Sequence, residues 1–108
     1  MSKPNTHLLK RLTRRQAAIR SAFKASYPSS VNLIELFAST PRSFDIIAAL
    51  ARGRTYREVA AVYNISIAAI YDREVRFYVR AEKYLTRNPD NKRLHPLALR
   101  VKHVLTKE

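Results

Sequence analysis

At 108 residues the chain has room for one domain, and a hydrophobic share of 46% is enough to give that domain a core. The absence of cysteine excludes a disulfide framework, thiolate-bound zinc and a cysteine nucleophile, so stability must come from packing. Lys and Arg number 21 against 8 Asp and Glu, a formal charge of +13, and that excess predicts attraction to a polyanion, nucleic acid before any other.

A single glycine and apolar spacings of three or four residues predict an all-α chain of about five to six helices. The first is expected over about Thr6 to Tyr27, within a basic segment 1–27. Leu9, Leu12, Gln16, Ile19 and Phe23 would share one face, Lys and Arg the other, and Pro28 would end it. A short helix follows over about Ser30 to Ala38, with Ser30 as N-cap and Val31, Leu33, Ile34 and Phe37 facing inward. Thr40 and Pro41 open a third helix that carries Ile46, Ile47 and Leu50 and closes at Gly53.

Thr55-Tyr56-Arg57-Glu58 reads as a capping box, in which the Thr hydroxyl and the Glu carboxylate each satisfy an exposed amide. The helix it starts has Val59, Ala60 and Tyr63 on its inner side. Asn64 then offers a left-handed residue and Ser66 a fresh N-cap, so a sharp turn leads into a long helix over about Ile67 to Thr86. Its apolar and aromatic positions are Ile67, Ile70, Tyr71, Val75, Phe77, Tyr78, Ala81, Tyr84 and Leu85. Asn88-Pro89-Asp90-Asn91 is a loop signal, and a last helix is expected over about Pro96 to Leu105, within 94–106.

The charge is unevenly spread. Segment 1–27 carries +7 with no acid, 28–66 is nearly balanced at +1, and 67–108 carries +5. The centre therefore reads as scaffold and both flanks as able to reach phosphates.

The helix–turn–helix predicted over 55–86 needs a small residue where its two helices cross, with apolar residues around it; Ala60, Val59, Ile65 and Ile70 supply them. Gly53, Thr55, Glu58, Val59, Ala60, Ile65 and Ser66 resemble the helix-turn-helix segments of LuxR-type regulators and of sigma-factor region 4. More broadly, Phe44 to Leu85 is similar to the PapB family of small fimbrial regulators, which implies a stand-alone transcriptional regulator that oligomerises on DNA. The pattern departs at Glu74, next to Val75, where an apolar residue is expected; a helix rotated by about one position would follow from that.

The resemblance, with the charge, implies double-stranded DNA as partner. Thr55, Tyr56 and Arg57, at a helix N-terminus, are expected to hold a phosphate. Ser66, Ile67, Ala68, Tyr71 and Asp72 are expected to face base edges in the major groove, with Arg73 and Arg76 close behind. Ile67 and Ala68 suit thymine methyl groups, Asp72 suits cytosine, and Arg76 suits phosphate before guanine. Lys10, Arg11, Arg14 and Arg15 on the first helix are expected to add phosphate or minor-groove contacts.

His7, His95 and His103 lack the i+3 or i+4 partner of a metal pair, and no nucleophile motif or facing carboxylate pair is present, so no enzyme, metal or cofactor is expected. Tyr71, Phe77, Tyr78 and Tyr84 are read as core or dimer interface before base-stacking platform. The reading is a homodimeric, sequence-specific repressor, cytoplasmic and nucleoid-associated. Its dimer face is expected around Tyr78, Tyr84, Leu85, Leu97, Val101 and Leu105. No membrane partner or small-molecule substrate is expected, since no stretch approaches ~18 uninterrupted apolar residues and no ligand-binding domain is present. The alternatives are an RNA-binding protein and a small phage packaging subunit that recognises DNA.

Overall fold

Local capping decides where most helices of this chain begin. The computed structural model describes residues 12–107, and over them the chain is all-α. Helix α1 is Arg14–Ala25, α2 Val31–Phe37, α3 Pro41–Ala51, α4 Tyr56–Tyr63, α5 Ile67–Arg87 and α6 His95–Lys107, with a 3-10 turn at Lys92–Leu94 before α6.

The first helix starts later than periodicity suggests. Thr13 takes an extended backbone, its hydroxyl accepts from the Gln16 N–H at 3.1 Å, and the Gln16 side chain accepts from the Thr13 N–H at 3.0 Å. This reciprocal box places Leu12 before the helix, while the expected turns at 6–11, with Leu9, lie outside the described residues. Ser30 also departs from expectation: its side chain caps nothing, because its hydroxyl donates to the Phe23 carbonyl at 2.9 Å and ties α2 back to α1.

The other caps fall as the sequence reading has them. Thr40 accepts from the Ser43 N–H with Pro41 in the first turn of α3. At the other end Gly53 adopts φ +100°, with its N–H bonded to Leu50 O and that of Arg54 to Ala49 O, the paired bonds of a Schellman stop. A side chain at Gly53 would meet no steric obstacle, so the positive φ alone makes glycine the fitting residue. Asn64 is left-handed at φ 54°, and the Ser66 hydroxyl accepts from the Ala69 N–H at 3.0 Å to open α5.

Burial divides into two clusters. The larger gathers Ile19 and Phe23 of α1, Phe37 of α2, Ile47 of α3, Phe77, Tyr78 and Ala81 of α5, Leu94, and Leu97 and Val101 of α6. Its rings meet edge to face, with centroids 5.5 Å apart for Phe23–Phe77 and 5.6 Å for Phe37–Phe77. The smaller cluster is Ile46, Ala49 and Leu50 of α3, Val59 and Ala60 of α4, and Ile70 of α5. It joins α4 and the start of α5 to α3 as one packed unit.

Helix α5 crosses both clusters, and α1 runs antiparallel along it. Gln16 Nε2 donates to Glu82 at 2.7 Å, while Arg20 and Lys24, further along α1, reach Glu74. The face of α5 turned inward is Ile70, Tyr71, Glu74, Val75, Phe77, Tyr78, Ala81 and Leu85. The helix is therefore not rotated to expose Glu74; the position is buried as an apolar residue would be, and a carboxylate fills it.

Candidate nucleic-acid interface

Two short elements frame the site, α4 and the first turns of α5, joined through Asn64, Ile65 and Ser66. Ile65 N–H bonds to Ala60 O at 3.1 Å, which closes the turn beneath Ala60. Ala60, 9% exposed, packs with Val59 and Ile70, and the half-buried Ile65 and Ile67 seal the edge of that cluster. Arg42 of α3 buttresses the far end of α4: its guanidinium donates to the Tyr63 carbonyl at 2.7 Å and lies 5.7 Å from the Tyr63 ring centroid. Sequence reading did not find this brace, which joins residues 21 positions apart.

At the N-terminus of α4 most of the expected phosphate-holding groups are already engaged. The Thr55 hydroxyl accepts from Glu58 N–H at 3.0 Å, and the Thr55 N–H donates to the Glu58 carboxylate at 2.9 Å. That backbone hydrogen bond, with the side-chain bond to Thr55 and the charge of Arg54 behind it, holds the Glu58 carboxyl below the ordinary glutamate range. The Tyr56 hydroxyl points inward and donates to Glu74 Oε1 at 2.5 Å. Burial first, then the charge of Glu74 and this hydrogen bond, push the Tyr56 phenol far above its usual value. Of the three residues, Arg57 alone presents an exposed side chain with no such engagement, and the exposed Arg52 and Arg54 stand beside the same helix start. Sequence reading does not single those two arginines out, because they fall in the nearly balanced segment 28–66 that reads as scaffold.

At the start of α5, Ser66 and Ala68 are exposed and Asp72 half-buried on the outer side, while Ile67 is half-buried against the smaller cluster and Arg73 half-buried beside α3. Tyr71 does not join them. It is 7% exposed and its ring lies 4.2 Å from that of Tyr56, centroid to centroid. Asp72 and Arg76 form an ion pair at 3.0 Å one helical turn apart, with Arg76 standing well out in solvent. Arg73 donates to the Ser43 hydroxyl at 2.9 Å, so its guanidinium is seated on the first turn of α3.

The N-terminal cations lie elsewhere. Lys10 and Arg11 are outside the described residues. Arg14 donates to the Leu105 carbonyl at 3.5 Å, near the end of α6, and Arg15 to the Thr86 hydroxyl at 3.4 Å, near the C-terminal end of α5 and about 28 Å along that helix from its start. They do not join the α4–α5 group.

Beneath the interface sits Glu74, 1% exposed, between the two apolar clusters. Tyr56 bonds one oxygen; Arg20 lies 3.8 Å from that oxygen and Lys24 3.7 Å from the other, which has no hydrogen bond. The same charge, added to burial, drives the Tyr78 phenol up as well. One carboxylate thus ties α1, α4 and α5 together, and nothing in the local sequence announces it.

The residues expected to pair two copies are largely spent within one. Tyr78, Leu85, Leu97 and Val101 are in the core, and Tyr84 and Leu105 pack against it. Among the described residues the large apolar side chains left well exposed are Val62 and Leu99, on different helices. No helix there is long and apolar enough to cross a membrane, and no three His, Asp or Glu residues are grouped to hold a metal. Compared with family models, curated proteins and solved structures, the chain has no match.

Proposed function

We propose that this chain is a sequence-specific double-stranded DNA-binding regulator that reads its site with the outer side of the α5 start. The observation that carries the reading is the α4–α5 unit itself. A short capped helix, a left-handed Asn64 turn and a Ser66-capped helix pack through Ala60 and present Ser66, Ala68 and Asp72 outward, with the half-buried Ile67 at the edge between them and the smaller cluster. The charge of +13 supplies the phosphate attraction that such a unit needs.

In this reading Arg57 holds backbone phosphate, with Arg52 and Arg54 beside it. Ile67 and Ala68 meet thymine methyl groups, and Arg76 exchanges its Asp72 partner for phosphate on binding. Repression by occlusion in the cytoplasm, on the nucleoid, is the simplest mechanism for such a module, with no catalysis, cofactor or small-molecule ligand. A homodimer on paired half-sites provides the specificity one small module lacks. With its expected apolar face consumed by the core, pairing rests on other surfaces.

Single-stranded DNA and RNA are less suited, because Phe77 and Tyr78 are 2% and 1% exposed and stack on neighbours rather than on bases. The test is competition for the protein among duplex DNA, structured RNA and single strands at one fixed salt concentration. Duplex DNA is expected to win; preferential retention of either of the others refutes the proposal.

A further inference from the structure

Past its first turns, α5 carries a second feature, of which the reading above uses only Arg76. Arg73, Arg76, Arg80, Lys83 and Arg87 follow one another at intervals of three or four residues, so they form one stripe on the side opposite Ile70, Glu74, Tyr78 and Ala81. From Arg73 to Arg87 the stripe is about 21 Å long.

It also has a facing wall. Ala38, Ser39, Thr40 and Ser43, at the corner between α2 and α3, stand across from α5 and enclose with it a cleft of about 610 Å³. Beyond Lys83 the concavity continues past Leu36 and Tyr84 to Arg87. The linings contain one acid, Asp72, already paired with Arg76. Among the described residues Arg80, Lys83 and Arg87 have no ion pair, which leaves three cations in a row facing water.

We propose that this cleft is a second phosphate track, which takes the backbone of duplex DNA flanking the segment read at the α5 start. The inference rests on the DNA-binding reading of α4–α5 and extends it. A lone small anion would engage only a pair of these cations, whereas a stripe of about 21 Å spans about six base-pair rises of one strand. A single strand would need rings to stack on. The cleft offers no open ring face of that kind, because Phe37 and Phe77 are buried against each other at 5.6 Å and the half-buried Tyr84 is packed edge to face with Phe37 at 5.6 Å.

The test compares the parent with R80Q/K83Q/R87Q and with R100Q/K102Q/K107Q, which removes three exposed charges from α6 instead. Affinity is measured over a range of salt for random-sequence duplexes of about one and about three helical turns, and for the best sequence selected from a pool. The parent is expected to gain affinity and salt sensitivity on the longer duplex. The α5 variant should lose that gain, with its salt slope lower by about 0.9 for each phosphate contact removed, while its sequence preference and circular dichroism stay parental. The α6 variant should keep the gain. The track is overturned if the parent gains nothing from flanking DNA, if the α5 variant keeps the gain, if the α6 variant loses as much, or if poly-glutamate of equal charge displaces the longer duplex as well as DNA does. A failure of the α4–α5 reading looks different: no sequence is selected from the pool, whatever the length dependence.

Discussion

Removing one hydroxyl, in Tyr56→Phe, should destabilise the protein more than its distance from the large core suggests. That hydroxyl is the hydrogen-bond donor to Glu74, whose side chain is 2% exposed and whose other oxygen has no hydrogen bond. Without it a buried carboxylate remains, attended among the described residues only by Lys24 at 3.7 Å and Arg20 at 3.8 Å. A hydrogen bond to a charged group is worth about 1.5–3 kcal/mol. Water reaches both cations, whose side chains are 27% and 37% exposed, so their attraction is screened and recovers little of the loss. The expected cost is therefore about 2 kcal/mol. Replacing the carboxylate as well, in Tyr56→Phe with Glu74→Leu, removes both polar partners and the expense of keeping an ion out of water, which is often close to neutral. The double variant should thus be more stable than Tyr56→Phe alone. Urea unfolding followed by circular dichroism, with unchanged m-values, measures all members of the cycle. A Tyr56→Phe protein within about 0.5 kcal/mol of the parent, or strictly additive effects, would refute the argument that Glu74 depends on this bond.

The remaining expectations concern the α4–α5 unit. Ala60→Leu overpacks the junction with Val59 and Ile70 and should cost about 1–3 kcal/mol, with DNA binding weakened in step; a melting curve equal to the parent's would place the crossing elsewhere. The Glu58 carboxyl is held low in the folded state, chiefly by the Thr55 backbone N–H, so its contribution is complete above its unfolded value and disappears as pH falls through the folded one. Glu58→Gln should accordingly flatten the acid limb of the stability curve, and an unchanged acid limb would contradict the capping assignment. Arg57→Ala should weaken binding to all duplexes alike and lower the salt slope by about 1, as one lost phosphate contact requires. A shift in sequence preference at constant slope would instead make Arg57 a base reader.

What the sequence made legible was whatever is decided within three or four residues. Thr40 with Pro41, Thr55 with Glu58, the Asn64 turn and the Ser66 cap are local agreements between side chain and backbone, and each stands where it was read. Thr13 and Gln16 carry the same kind of signal, yet the apolar period running through Leu12 masked it. Contacts between distant segments were not legible. Nothing around Glu74 says that Tyr56, 18 positions earlier, will supply its donor, or that α1 will bring Arg20 and Lys24 beside it. For the same reason Tyr71 read as outward, since its inward turn depends on a stacking partner in α4. Tyr78, Leu97 and Val101 read as a dimer face because periodicity identifies an apolar side without saying what covers it. Here α1 and α6 cover it within one chain.

The central claim, sequence-specific recognition of duplex DNA by the start of α5, is tested most directly by selecting bound duplexes from a random pool with the intact chain. The account predicts enrichment of a two-fold symmetric sequence whose half-sites lie about one helical turn apart, 10–10.5 base pairs, or a multiple of that. It predicts further that substitutions at Ile67 and Ala68 change which bases are enriched. A pool that emerges without any preferred sequence, although the protein binds it strongly at low salt, would contradict the claim and leave a phosphate binder without base readout.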